Sequence, residues 1–277
     1  MQYENPKIPE GINVTKVHPL KTFAVLVSGL VAVLFLGAWL LGLSGGYLAS
    51  KVPYSQEVRL ANTYESGDVL EQTELEEYLQ QLADNISQQM NLEEGMEVTV
   101  HYVDESVDNA FATIGGHIFL YKGLLKKLPH ENALAMLIAH EIAHVKHRDP
   151  IVSLGRGASI SVGMMLLLGD ANPSLLGNAG LLTQMHFGRE MEVKADQEGL
   201  LAVNAIYDDV GSALKLYEVL NGLEADALVK SPEFLSTHPS SDNRLEELTE
   251  LANRNGWSLN NQPVPFPKVF VQKVLMK

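Results

Sequence analysis

The stretch FAVLVSGLVAVLFLGAWLLGL, residues 23–43, contains no charged side chain, and the uncharged run extends from residue 22 to residue 50. As a helix, its 21 residues rise about 31 Å, the thickness of a bilayer's hydrocarbon core. A core helix of this length would show a polar face. A cleaved leader would have a shorter apolar run and a shorter segment before it than the 22 residues found here. The reading is a retained membrane anchor over residues 22–48, preceded by a flank, residues 1–21. Lys7, Lys16 and Lys21 lie before the span, against Lys51 and Arg59 after it. The positive-inside bias sets the N-terminus in the cytoplasm and the body on the far side.

The body is acidic. Of a net charge of −14, residues 1–51 carry +2 and the remainder −16. Nucleic-acid binding needs a basic footprint and is excluded as an expectation. With no cysteine, there is no disulfide framework, thiolate metal site or cysteine nucleophile.

Periodicity organises the rest as α+β, mainly helical with a small sheet. Leu75, Leu79, Leu82 and Ile86 recur at helical spacing within residues 71–90. MEVTVHYV, residues 96–103, alternates as a strand does, and FATIGGHIFLY, residues 111–121, reads as a strand turned at Gly115-Gly116. A helix follows Pro129, from about residue 130 to 145, and further helices are expected near residues 213–223 and 242–252. The proline-bearing tail is expected to end in a strand. Two shorter apolar runs, residues 158–169 and 175–182, are too short to span a membrane. They read as core helices, with a hairpin dipping into the membrane as the alternative. The divisions are a linker and helical region, residues 49–95, a main domain, residues 96–255, and a tail, residues 256–277.

LIAHEIAHVKHRD, residues 137–149, contains His140, Glu141 and His144 in the order H-E-x-x-H. On a helix, positions i and i+4 share a face, so both imidazoles can present to one ion with Glu141 beside it. Zinc lowers the pKa of a bound water to about 7 and polarises a carbonyl. A neighbouring carboxylate can take the water's proton and pass it to the leaving amine. The helix is otherwise apolar, and unpaired ionisable groups would be costly there. No H-x-x-G-x-x-H extension follows, so a third ligand must come from elsewhere. GREMEVKADQEG, residues 188–199, offers Glu190, Glu192, Asp196 and Glu198. Glu192 and Asp196 are again i and i+4, so one could bind the metal while the other orients a ligating imidazole.

Four segments in order resemble the HtpX-like zinc metallopeptidases, the family that also holds the CaaX prenyl protease type 1 enzymes and mitochondrial inner-membrane protease relatives. They are NAFATIGGHIFLYKGLL (109–125), AHEIAHVKHRD (139–149), GREMEVKAD (188–196) and STHPSSDNRLEEL (236–248). The third has Gly188 where the family usually has Ser. The resemblance implies a zincin-like metallopeptidase fold and one Zn2+ per chain, held by His140, His144 and Glu192. It implies Glu141 as general base and Asp196 as the carboxylate that orients a ligand. Arg189 matches a family arginine with a structural pairing role. His238 matches the histidine of T-H-P, which could stabilise a developing oxyanion, and Arg244 matches a later arginine that could pair locally or act likewise. His117, His130, His147 and His186 read as surface or structural residues. HtpX itself has several spanning helices and a cytosolic site, whereas this chain shows one span and reads as a single-anchor relative, in a bacterial inner membrane with its domain on the periplasmic side.

The expected function is a membrane-anchored zinc endopeptidase acting on unfolded or misfolded proteins in quality control. Its substrate would pair as an extended strand along an edge at residues 112–119. The alternatives are a catalytically silent, chaperone-like binder of extended peptides and a processing enzyme for lipidated substrates, which would have more spans.

Overall fold

The computed structural model describes residues 18–64, 73–168, 188–226, 233–238 and 243–276. The apolar run forms α1 (Pro19–Ser50), with mean hydropathy 2.5 over its most apolar window. Its side chains are exposed except where Gly42, Gly45, Gly46 and Ala49 meet a neighbour. α2 (Tyr54–Tyr64) follows at once. α3 (Glu74–Met90) starts at a capping box, in which the Thr73 hydroxyl accepts from the Glu76 N–H and the Glu76 carboxylate accepts from the Thr73 N–H. It buries Leu75, Leu79, Leu82 and Ile86 as the periodicity requires.

The sheet has order β1-β3-β2. β1 (Thr99–Val103) pairs parallel to β3 (His117–Tyr121), and β2 (Ala110–Ala112) pairs antiparallel to it. The turn between β2 and β3 runs through Gly115 and Gly116 at φ 81° and 87°, a region L side chains rarely enter. Because β3 has a partner on each side, residues 112–119 do not form one edge as expected. The edge on that side is β2 alone.

α4 (Lys122–Leu125) leads to α5 (Glu131–His147). α5 is buried on all sides from Asn132 to Val145, enclosed by α3, the sheet and α7 (Arg189–Tyr207). Gly199 permits the close approach of α7, because a Cβ there would lie 3.1 Å from the Met136 methyl and 3.2 Å from the His140 nitrogen. α8 (Lys215–Asp226), α9 (Glu233–Thr237) and α10 (Arg244–Asn255) complete the body. The tail does not end in a strand. Lys268–Phe270 and Val271–Leu275 are helical turns that bury Phe270 and Val274 in the main core. Phe270 and Val274 stand four apart in these turns, Phe266 just before them stacks on Phe270 with ring centroids 4.0 Å apart, and Phe270 meets Tyr78 edge-on.

α6 (Asp149–Leu168) begins directly after α5. Its first turns help form a small second core of Ala49, Ala61, Ile114 and Ile151. Beyond that, α6 does not enter the main core as the core reading of residues 158–169 required. It lies antiparallel along α1 and leaves Ile160, Val162 and Met165 exposed. The second apolar run, residues 175–182, lies outside the described residues.

Candidate metal centre

α5 carries His140 and His144 one turn apart, and α7 presents Glu192 and Asp196 one turn apart towards them. His238 follows α9 directly. His140, Glu141, His144, Glu192 and His238 are each at most 2 % exposed. One ligand atom from each of His140, His144, Glu192 and His238 lies within 4.8 Å of the others. His140 Nε2 is 3.1 Å from His144 Nε2 and 3.3 Å from His238 Nδ1. Glu192 Oε1 is 3.3 Å from His144 Nε2 and 3.0 Å from His238 Nδ1. Glu192 Oε2 is 3.5 Å from His140 Nε2. A tetrahedron with arms of about 2.05 Å, the zinc–nitrogen length, has edges of about 3.3 Å.

The outer nitrogens fix the tautomers. His140 Nδ1 is 2.8 Å from Asp196 Oδ1, and His144 Nδ1 is 2.8 Å from Asp149 Oδ2. A carboxylate only accepts, so each Nδ1 carries the proton and each Nε2 turns a lone pair inward. Two such lone pairs 3.1 Å apart repel unless a cation or a shared proton lies between them. Burial by itself disfavours charge on His140, but the Asp196 and Glu192 carboxylates outweigh it and raise its pKa to about 10. His144 is raised too, with Asp149 and Glu192 overcoming burial. Burial pushes Glu192 up, yet His238, His140 and His144 hold it well below the usual carboxylate range. Asp196 is likewise held at about 2 against burial, chiefly by Arg244.

Charge bookkeeping gives the same answer. Glu141, Asp149, Glu192 and Asp196 are buried around the cluster with Arg244 as the buried cation among them. That leaves a strong negative excess which a dication relieves, and metal binding at neutral pH would displace the proton that His140 otherwise holds. Three imidazole nitrogens and a carboxylate are zinc's preferred donors. The residues present fit a zinc ion.

Glu141 lies next to His140 and is not among the ligand atoms. Neither of its oxygens makes a hydrogen bond among the described residues, and Oε1 is 3.6 Å from His238 Nε2. Arg244 clamps Asp196 through Nε at 2.7 Å and Nη2 at 2.6 Å, and its Nη1 is 3.4 Å from Glu192 Oε2. Burial works against its charge, yet Asp196 raises its pKa further. Arg189 is exposed on the first turn of α7 and is not gathered into the cluster.

A model described as peptidase family M48 matches residues 70–252. The chain belongs to peptidase family M48. This is the family that the four sequence segments resemble, and its zincin-like, mainly helical domain with a small sheet is the architecture found. The M48 chain is 32 % identical over 157 residues to the mitochondrial metalloendopeptidase OMA1 of Schizosaccharomyces pombe, covering 54 % of this chain and 45 % of that protein. Against the mitochondrial metalloendopeptidase OMA1 of Homo sapiens it is 29 % identical over 174 residues, 55 % of this chain and 32 % of the relative. Against the beta-barrel assembly-enhancing protease of Yersinia pestis it is 28 % identical over 167 residues, 56 % and 34 %. The match thus spans less than half the length of each of these relatives.

The M48 site contains residues the sequence reading did not single out. Asp149 orients His144, and Tyr217 donates its hydroxyl to Asp196 at 2.7 Å. Glu57 of α2 accepts from Arg148 Nε at 3.0 Å, from Arg148 Nη2 at 2.6 Å and from the Gly115 N–H at 3.1 Å. It ties the end of the metal helix to the β2–β3 turn. Among the other histidines, His117 faces His101 at 3.0 Å and His147 pairs with Glu198 at 2.9 Å. His130 precedes α5, half-exposed. His186 lies outside the described residues.

Proposed function

We propose that this M48 chain is a membrane-anchored zinc metalloendopeptidase that hydrolyses extended segments of unfolded or misfolded proteins. The observation that carries the reading is a buried, unbonded carboxylate, Glu141, next to four converging ligand atoms. His140, His144 and Glu192 would hold the ion, which when bound supplies Lewis acidity and an acidified water. Glu141 then takes a proton from the attacking water and delivers it to the leaving amine. Asp196 and Asp149 keep both imidazoles in the ligating tautomer, and Arg244 keeps Asp196 ionised.

His238 has two roles on this reading. In the arrangement described, its Nδ1 lies among the converging ligand atoms and would complete a set of four around an ion, leaving less room for a substrate carbonyl. Turned off the ion, its imidazole would donate to a developing oxyanion, the role the family resemblance implies. α9 also meets the substrate edge, because the Phe234 N–H donates to the Asp108 carbonyl beside β2 at 3.0 Å. A peptide pairing with β2 by its backbone would therefore compete with α9 and reads little side-chain information.

Anchoring by α1, with the body on the periplasmic side of a bacterial inner membrane, is supported by its length, its exposed apolar surface and the lysines before it. The test is cleavage of denatured casein by solubilised wild type, Glu141→Gln and His238→Ala, each with and without a zinc chelator. Glu141→Gln should bind zinc as wild type does and lose hydrolysis by a factor of about 10² to 10⁴. A gain in His238→Ala would identify closure as its main role, and a loss would identify oxyanion stabilisation. Equal cleavage by wild type and Glu141→Gln would overturn the reading.

A further inference from the structure

α6 does two things at once. Its first residue, Asp149, orients the ligand His144, and its later turns lie against the anchor. The contact is made of small residues: a Cβ on Gly45 would overlap Ser159 and the Gly155 carbonyl, and one on Gly163 would overlap Leu41. A Cβ on Gly42 would sit 3.2 Å from Ile160 Cδ1. These pairs fix the levels. Ile160 and Gly163 are beside Gly42 and Leu41, and with Val33, Leu34, Gly37 and Ala38 they enclose one apolar crevice. All these α1 positions fall inside residues 22–48.

We propose that α6 enters the same bilayer as α1, from about Ala158 onward, as a second lipid-contacting helix that reaches part-way across. The inference rests on α1 being a span, as proposed above. If α1 spans, a helix packed on Leu41 and Gly42 and sharing a crevice with Val33 to Ala38 is at hydrocarbon depth. Two further observations point the same way. After Arg156, residues 157–168 contain no charge, and the side of α6 turned away from α1 exposes Val162 and Met165 at 41 % and 36 %, while Ile160 is 36 % exposed beside the α1 contact. A helix facing water there would carry polar groups on that side. The charges stop at a defined level: Arg156 abuts Gly46, close to Tyr47, whose exposed ring has the Lys51 ammonium 5.2 Å from its centroid. Aromatic and basic residues of this kind belong at the headgroup boundary. From Arg156 to Leu168 the helix advances about 18 Å, roughly half the hydrocarbon thickness. From Asp149 to Arg156 it advances about 10 Å, so the metal centre is fastened close to the membrane surface by the helix that enters it.

The absence of cysteine makes the test direct. Single cysteines at Val162, Met165, Phe35 and Leu201 in the full-length Glu141→Gln chain are labelled with bimane and reconstituted in phosphatidylcholine vesicles. Quenching by acyl-chain-brominated lipid and by aqueous iodide is then measured. Phe35 is the anchor reference, and Leu201, 53 % exposed on α7, is the water reference. The expectation is lipid quenching at Val162 and Met165 comparable with Phe35 and at least about fivefold above Leu201, with little iodide quenching. If Phe35 is lipid-quenched while Val162 and Met165 behave like Leu201, α6 lies outside the bilayer and this proposal is overturned with the anchor intact. If both quenchers fail at Val162 and Met165 alone, protein covers that face, and the proposal is again overturned. If Phe35 too behaves like Leu201, the anchor reading falls and takes this inference with it.

Discussion

Asp149 reaches His144 because Arg148, at φ 58°, turns the chain back immediately after α5. A non-glycine residue in that conformation needs outside support. Arg148 receives it from the Glu57 carboxylate and from the Val52 carbonyl, which accepts from Nη1 at 2.6 Å. Replacing Asp149 with alanine frees the His144 ring to turn and removes a charge that strengthens it as a ligand. Zinc affinity should fall about 10- to 100-fold, measured by competition with a chromophoric chelator; unchanged affinity would mean His144 is oriented by packing alone. H-E-x-x-H was legible in the sequence because its spacing within one helix dictates its geometry. Asp149 stands at the end of the same stretch, but its role depends on a backbone turn held by a residue 91 positions away, which spacing does not show. Tyr217 was silent for the same reason. For His238 the motif was legible, but spacing could not give the orientation of its ring, which decides between ligand and oxyanion partner.

At the scale of elements, α5 and α7 form the centre by lying unusually close. Glu192, Asp196, Gly199 and Val203 make one buried face of α7, and Gly199 is where the backbones nearly touch. Gly199→Val should push α7 outward, lowering zinc affinity and destabilising the fold by about 1–3 kcal/mol. Metal titration and thermal unfolding would measure both, and wild-type values in each would mean that close approach at Gly199 does not set the centre. α3, β1 and β3 were readable because each keeps one face more accessible than the other and the period survives, whereas β2 is buried throughout. α5 was found through its motif, since a helix buried on every side carries little periodic signal. α6 was legible as an apolar helix, but apolarity does not say whether the partner is a core or an anchor. The tail differs from the expected strand because its helical turns are short, leaving only Phe270 and Val274 as an i, i+4 pair after three prolines.

Across the whole molecule, the start of the C-terminal tail is tied to the body at Asp209. Asp209 accepts from Ser258 Oγ at 2.9 Å and from the Asn260 and Gln262 N–H groups at 2.8 and 3.2 Å, and so fixes the start of the tail. Burial pushes its carboxyl up, but these donors win and hold it below its ordinary value. A carboxylate with a lowered folded pKa stabilises fully above its unfolded value of about 3.9 and loses that contribution as pH falls through the folded value. Asp209→Asn should therefore cost about 1–3 kcal/mol at pH 7, with the gap from wild type narrowing below about pH 4. Melting temperatures at pH 7 and pH 3 would show whether it narrows. The four converging ligand atoms have a related consequence. They belong to stretches as far apart as His140 and His238, 98 residues along the chain, so an ion bound there acts as a reversible cross-link. At 100 times its dissociation constant it adds about 2.7 kcal/mol to stability. Stripping the ion should lower the melting temperature, and restoring it should raise the temperature again; an unmoved transition would mean the cluster holds no metal in the folded state. Chelation would then act twice, as removal of a reagent and as the opening of a large loop, so a stripped chain would also be more open to other proteases.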